Sequence, residues 1–103
     1  MFKDKFVLAI NEKLMVRVTY VTNDSRVLTR KCIPFDFGPS KRFMDKSYRY
    51  HFLDLDSPRG RHPLPLLPNR LVKLELTNTS FNPANYINWK PNWYFKRNWG
   101  KYS

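Results

Sequence analysis

Phe2, Phe6, Ile10 and Leu14 recur every four residues, and Lys3, Asp4, Lys5, Asn11, Glu12 and Lys13 fill the gaps between them. That spacing lines one side of an amphipathic helix, predicted over residues 1–14. So short a helix is marginal alone, so its apolar stripe must dock on something. At Leu14 the period drops to two: Val16, Val18 and Tyr20 alternate with Met15, Arg17 and Thr19, as in a half-buried strand. Thr22-Asn23-Asp24-Ser25 predicts a turn, since Asn and Asp bond their own backbone and tolerate left-handed geometry. A second strand is expected from Arg26 to Ile33, ended by Pro34, which cannot donate to a ladder. The two form an antiparallel hairpin.

Phe35 to Lys46 contains Gly38-Pro39 and reads as a loop. Ser47 to Leu55, rich in aromatics, predicts a third strand, and Asp56-Ser57-Pro58-Arg59-Gly60 a turn. Pro63 and Pro65 make His62–Leu67 a short edge strand. Arg70 to Leu76 predicts a fifth strand. Phe81 to Ser103 has a different character: no acid, four Lys or Arg, and eight aromatics including Trp89, Trp93 and Trp99. Asn82-Pro83 and Lys90-Pro91 interrupt it, which rules out a single long helix. One helix followed by five short strands predicts a mainly β fold, a small closed or partly closed barrel over residues 15–76. Residues 77–103 form an extension packed on it, and residues 1–103 make one domain.

Composition supports this and adds a partner. A length of 103 residues leaves room for one core, and 42% apolar with 17% aromatic residues is too rich for a disordered tail. Nineteen Lys and Arg against eight Asp and Glu give a net charge of +11, which points to something anionic. Cys32 is the single cysteine, so no internal disulfide staples the domain. The apolar run Phe6–Ile10 is too short to span a bilayer or to form a secretory core, so a cytoplasmic protein without a membrane partner is expected.

The order of features resembles the WYL domain, a small Sm-like, SH3-type β-barrel. The matching stretches are the helix leading into Val18-Thr19-Tyr20, then Thr29-Arg30-Lys31-Cys32-Ile33-Pro34, Tyr48-Arg49-Tyr50-His51-Phe52-Leu53, and Leu67-Pro68-Asn69-Arg70-Leu71-Val72-Lys73-Leu74. They fall between about residues 6 and 76. The Trp-Tyr-Leu tripeptide itself is absent, with Tyr48-Arg49-Tyr50 or His51-Phe52-Leu53 in its place. The resemblance implies a five-stranded barrel that binds nucleic acid or a nucleotide-like anion and serves as an accessory transcriptional or defence regulator. Its pocket would be lined by Tyr20, Arg30 and Arg70, with Arg49 and His51 beside them, and Pro34 would be structural. The helix-turn-helix segment that commonly accompanies such domains is missing here.

Residue chemistry gives its own candidates. Arg17, Arg30, Arg49 and Arg70 fall in or at the start of predicted strands, and a guanidinium fork suits phosphate oxygens; the alternative is that they are solvated outer faces. Lys41, Arg42, Lys46, Arg59 and Arg61 lie on loops flanking the third strand, where binding residues concentrate. In the tail, Trp89, Trp93, Tyr94, Phe95 and Trp99 interleave with Lys90, Lys96, Arg97 and Lys101; such rings either stack on unpaired bases or cover the barrel. Catalysis is not expected. Asp54 and Asp56 share a side but precede a turn that favours Asp, and Cys32, His51 and His62 match no catalytic or zinc spacing. Three glycines cannot build a phosphate loop, so no cofactor is expected. The rival reading is a protein-interaction module or homodimer that docks an acidic partner.

Overall fold

The computed structural model describes residues 2–103. Helix α1 spans Phe2–Glu12 and buries Phe6, Ala9 and Ile10. It is shorter than the predicted 1–14, whose first residue, Met1, lies outside the described residues. Lys13 ends it by adopting a left-handed φ of 55°, and its N–H donates to the Ile10 carbonyl at 3.2 Å.

Five strands follow: β1 (Leu14–Val21), β2 (Val27–Pro39), β3 (Tyr48–Asp54), β4 (His62–Leu66) and β5 (Leu71–Ser80). They form one antiparallel sheet in the order β4-β3-β2-β1-β5, so the fold is mainly β as the alternation predicts. β4, with its two prolines, is an edge strand. The register sets Val16, Val18 and Tyr20 opposite Cys32, Arg30 and Leu28 on one side and opposite Leu76, Leu74 and Leu71 on the other. Paired residues share a face, so these side chains converge. Helix α1 docks on that layer, with the Phe6 ring 5.0 Å from Tyr50 and 5.3 Å from Phe52, both edge-on. Phe6 and Ile10 are fully buried, which contributes about 1.5–3 kcal/mol each.

Two strands run longer than expected. β2 does not stop at Pro34 but continues to Pro39, so Phe35–Pro39 is strand rather than loop. A register shift between Pro34 and Asp36 absorbs the missing donor, and the ladder resumes with Asp36 opposite His51. β5 begins at Leu71, after a 3-10 turn over Pro68–Arg70, and extends past Leu76 to Ser80. There Thr77 Oγ1 donates to the Met15 carbonyl at 2.7 Å. The hairpin turn is as expected: Ser25 takes a φ of 67°, and its N–H donates to the Thr22 carbonyl.

The C-terminal segment wraps back over the sheet and helix. The Phe81 N–H donates to the Lys13 carbonyl at 2.9 Å. Phe81, Ile87 and Trp99 are buried. Trp99 lies edge-on to Phe81 and Trp93, and its indole N–H donates to the Ile10 carbonyl at 2.9 Å. The large aromatics here extend a core that a chain of this length would otherwise leave thin.

Candidate functional site

Two concavities flank β4. The first, of about 300 Å³, lies between the end of β1 with its turn and the end of β4. Tyr20, Arg49 and Arg70 line it together with Phe43, Thr22 and Leu66. Three predicted site residues thus come together from positions far apart in sequence. Arg70 reaches it from the 3-10 turn, where its Nη1 donates to the Thr22 carbonyl at 3.0 Å. Among the described residues Arg70 has no ion pair, so its charge is uncompensated. Tyr20 is buried, and burial, reinforced by the nearby Asp54 carboxylate, pushes its hydroxyl above the usual tyrosine range.

The other strand arginines are differently placed. Arg49 lies over the Phe43 ring, 3.9 Å from its centre, and is ion-paired with Asp45 through two contacts of 3.0 and 3.2 Å. Hydrogen bonds from Arg49 hold the Asp45 carboxyl below the usual carboxylate range. Arg49 therefore ties the 40–46 loop to β3 while lining the cavity. Arg30 turns onto Asp54, its Nε 3.5 Å from Oδ2, while His62 Nε2 approaches the same oxygen at 3.4 Å. Arg17 is exposed on the opposite face of β1, paired in register with Glu75.

The second concavity is an aromatic groove of about 390 Å³ between the bulged half of β2 and the C-terminal segment. Phe35, Trp89, Trp93 and Tyr94 wall it, His51 lies in its side, and Lys41 and Arg42 stand at its rim. His51 Nε2 donates to the Gly38 carbonyl at 2.8 Å, which requires the Nε2-protonated tautomer. Gly38 is needed because the Tyr94 ring lies against it; an added Cβ would stand less than 3 Å from three ring atoms. A smaller cavity carrying Lys96 shares Asn92, Trp93 and Tyr94 with the groove.

One buried ion pair fixes the groove's wall. Asp36, from the bulged part of β2, accepts the Tyr94 N–H at 2.8 Å and the Phe37 N–H at 3.0 Å. Arg97 Nη2 lies 3.3 Å from its Oδ1, and Arg97 also donates to the Phe35 carbonyl. The Arg97 guanidinium is enclosed by Trp93, Trp99 and Phe95, with ring centres at 4.0, 4.6 and 4.7 Å. Burial raises the Asp36 carboxyl and pushes Arg97 down to about 10. Both shifts favour neutral forms, so the loss of hydration outweighs the mutual attraction. Arg97, proposed from sequence as a ligand contact, is therefore enclosed in the fold.

Of the remaining candidates, Arg59 is exposed on the 56–60 turn, and Arg61 lies 5.0 Å over the Tyr86 ring. Asp54 and Asp56 serve the backbone: Asp54 Oδ1 accepts the Asp56 N–H, and Asp56 Oδ2 accepts the Lys31 N–H. Cys32 is buried, and burial pushes its thiol far up. Among the described residues no group of three His, Cys, Asp or Glu side chains is placed to hold a metal ion, and no helix is long and apolar enough to cross a membrane. Sequence reasoning missed Phe43, Asp36 and Gly38. An acid between two phenylalanines, Phe35-Asp36-Phe37, was the available signal for a buried partner. No family model, curated protein or solved structure matches the chain.

Proposed function

We propose that this protein is a non-enzymatic module of the WYL type that its sequence resembles, binding nucleic acid or a nucleotide-like anion through the Tyr20–Arg70 cavity. The observation that carries the reading is the uncompensated guanidinium of Arg70 in a concavity beside a buried tyrosine. Surplus charge around it supports the choice of an anion. Only Arg26, Arg30, Arg49, Lys73 and Arg97 are ion-paired with carboxylates, and among the described residues the other fourteen Lys and Arg are not. A field of that sign steers a polyanion to the surface, and a guanidinium fork fixes a phosphate there.

A protein-docking role has less support. Trp93 and Phe95 are half-buried and Trp99 is buried, so those three rings do not form a contiguous exposed patch. A cytoplasmic accessory regulator fits the reading. Fluorescence-anisotropy titrations with a labelled single strand, a duplex and a mononucleotide test it. Arg70→Ala is expected to weaken binding about tenfold or more, the loss of a charge-assisted hydrogen bond, whereas Arg17→Ala, on the other face of β1, has a much smaller effect. No binding of any of the three at low salt, or equal affinity for Arg70→Ala and wild type, would overturn it.

A further inference from the structure

We infer that the aromatic groove is a stacking site for unpaired bases, so that the preferred partner is a single-stranded nucleic acid. The inference rests on the nucleic-acid reading above but concerns a separate set of residues. Three rings along the groove and its outer lip are exposed (Trp89 47%, Tyr94 56% and Tyr48 54%), whereas thirteen of the seventeen aromatics are buried or half-buried. Tyr48 and Tyr94 adjoin, with ring centres 6.5 Å apart, and Trp89 lies edge-on to both Phe35 and Trp93. Tyr94 is held in place, because its backbone N–H is bound by Asp36 and its ring rests on Gly38.

The surrounding charge selects the occupant. Lys41 and Arg42 at the rim and Lys96 in the adjoining cavity are without carboxylate partners among the described residues. The one acid in the groove, Asp36, is taken up by Arg97 and two backbone N–H groups. Planar faces flanked by free cations match bases joined by phosphates. A duplex keeps its base faces stacked inside, so only an unpaired strand can present them here. A volume of about 390 Å³ falls at the small end of ligand sites, fitting one base with its sugar rather than a folded partner.

Leu64 and Pro65 of β4 line both this groove and the Tyr20–Arg70 cavity. The two sites are therefore separated by one strand, and a nucleic-acid chain crossing β4 places a base in one and a phosphate in the other.

The experiment compares two labelled strands of about ten nucleotides and equal charge, one of oligothymidine and one wholly abasic, by anisotropy and tryptophan fluorescence. The base-bearing strand is expected to bind about tenfold tighter or more and to quench tryptophan emission. Trp89→Ala removes most of that advantage, Trp89→Phe retains most of it, and neither changes abasic binding; urea midpoints of both variants establish that they fold. Equal affinity for the two strands overturns the stacking inference while leaving the nucleic-acid reading intact. Absence of binding by either strand overturns both. A proline-rich peptide that quenches Trp89 and displaces no nucleic acid would reassign the groove to a protein partner.

Discussion

Replacing Arg97 by alanine removes the charged centre of an aromatic enclosure and leaves Asp36 without its ionic partner. The Arg97 side chain is wholly buried and Asp36 is 9% exposed at its side chain, so the pair lies far from the screened surface regime of about 0–1 kcal/mol. Removing one member of a buried pair costs about 3–5 kcal/mol. Asp36 keeps the N–H donors of Phe37 and Tyr94, and its raised carboxyl takes up a proton more readily, which places the loss near the lower end, about 3 kcal/mol. For a domain near 100 residues that corresponds to a fall in Tm of about 12–24 °C, a large share of the roughly 5–15 kcal/mol that holds such a domain folded. Urea unfolding followed by tryptophan emission and far-ultraviolet dichroism measures it; all three tryptophans lie in the C-terminal segment, so non-coincident transitions would mark its separate release. Because the burial penalty exceeds the attraction, the double variant Asp36→Leu/Arg97→Met is expected to be more stable than Arg97→Ala. A loss below about 1 kcal/mol for Arg97→Ala would refute the assignment of the pair as the clamp on the segment.

Two further outcomes follow from the same geometry. Gly38→Ala drives a Cβ into the Tyr94 ring, and the expected result is a change in tyrosine and tryptophan near-ultraviolet dichroism with weakened single-strand binding; unchanged spectra would show that the ring does not rest there. The hydroxyls of Tyr20 and Tyr50 are both raised by burial above the ordinary tyrosine range, about 10, so the folded state holds their protons more tightly than the unfolded chain. Their contribution is present below pH 10 and is lost as pH rises through the folded values; a spectrophotometric titration in which all six tyrosines ionise together in the native protein would contradict this.

The helix, the hairpin and the edge character of β4 were legible because each rests on local chemistry: apolar spacing of four or two, Asn-Asp turn residues, and prolines without donors. The continuation of β2 through Pro34 was not, because a proline forbids a regular ladder bond but not a bulge, and a bulge is fixed only by the partner strand. The end of β5 escaped for a related reason: Thr77, Asn78, Thr79 and Ser80 show no apolar alternation, yet β1 supplies their pairing. Tyr20, Arg49 and Arg70 line one cavity, whereas two residues expected beside them do not: Arg30 is drawn onto Asp54 and His51 lies in the aromatic groove. Arg97 looked like one more cation in a basic tail. Its burial depends on Asp36, 61 positions away, and no local pattern encodes a contact of that range.

On the proposed function, Arg70 and the unpaired cations of the loops and C-terminal segment hold a phosphate backbone. Measuring the observed affinity for a single strand across a series of salt concentrations tests it most directly. The expected plot of log affinity against log salt is linear and falling, with a slope of about 0.7 per phosphate contacted, and shallower by about that amount in Arg70→Ala. A flat plot, or a slope identical in wild type and Arg70→Ala, would contradict the account.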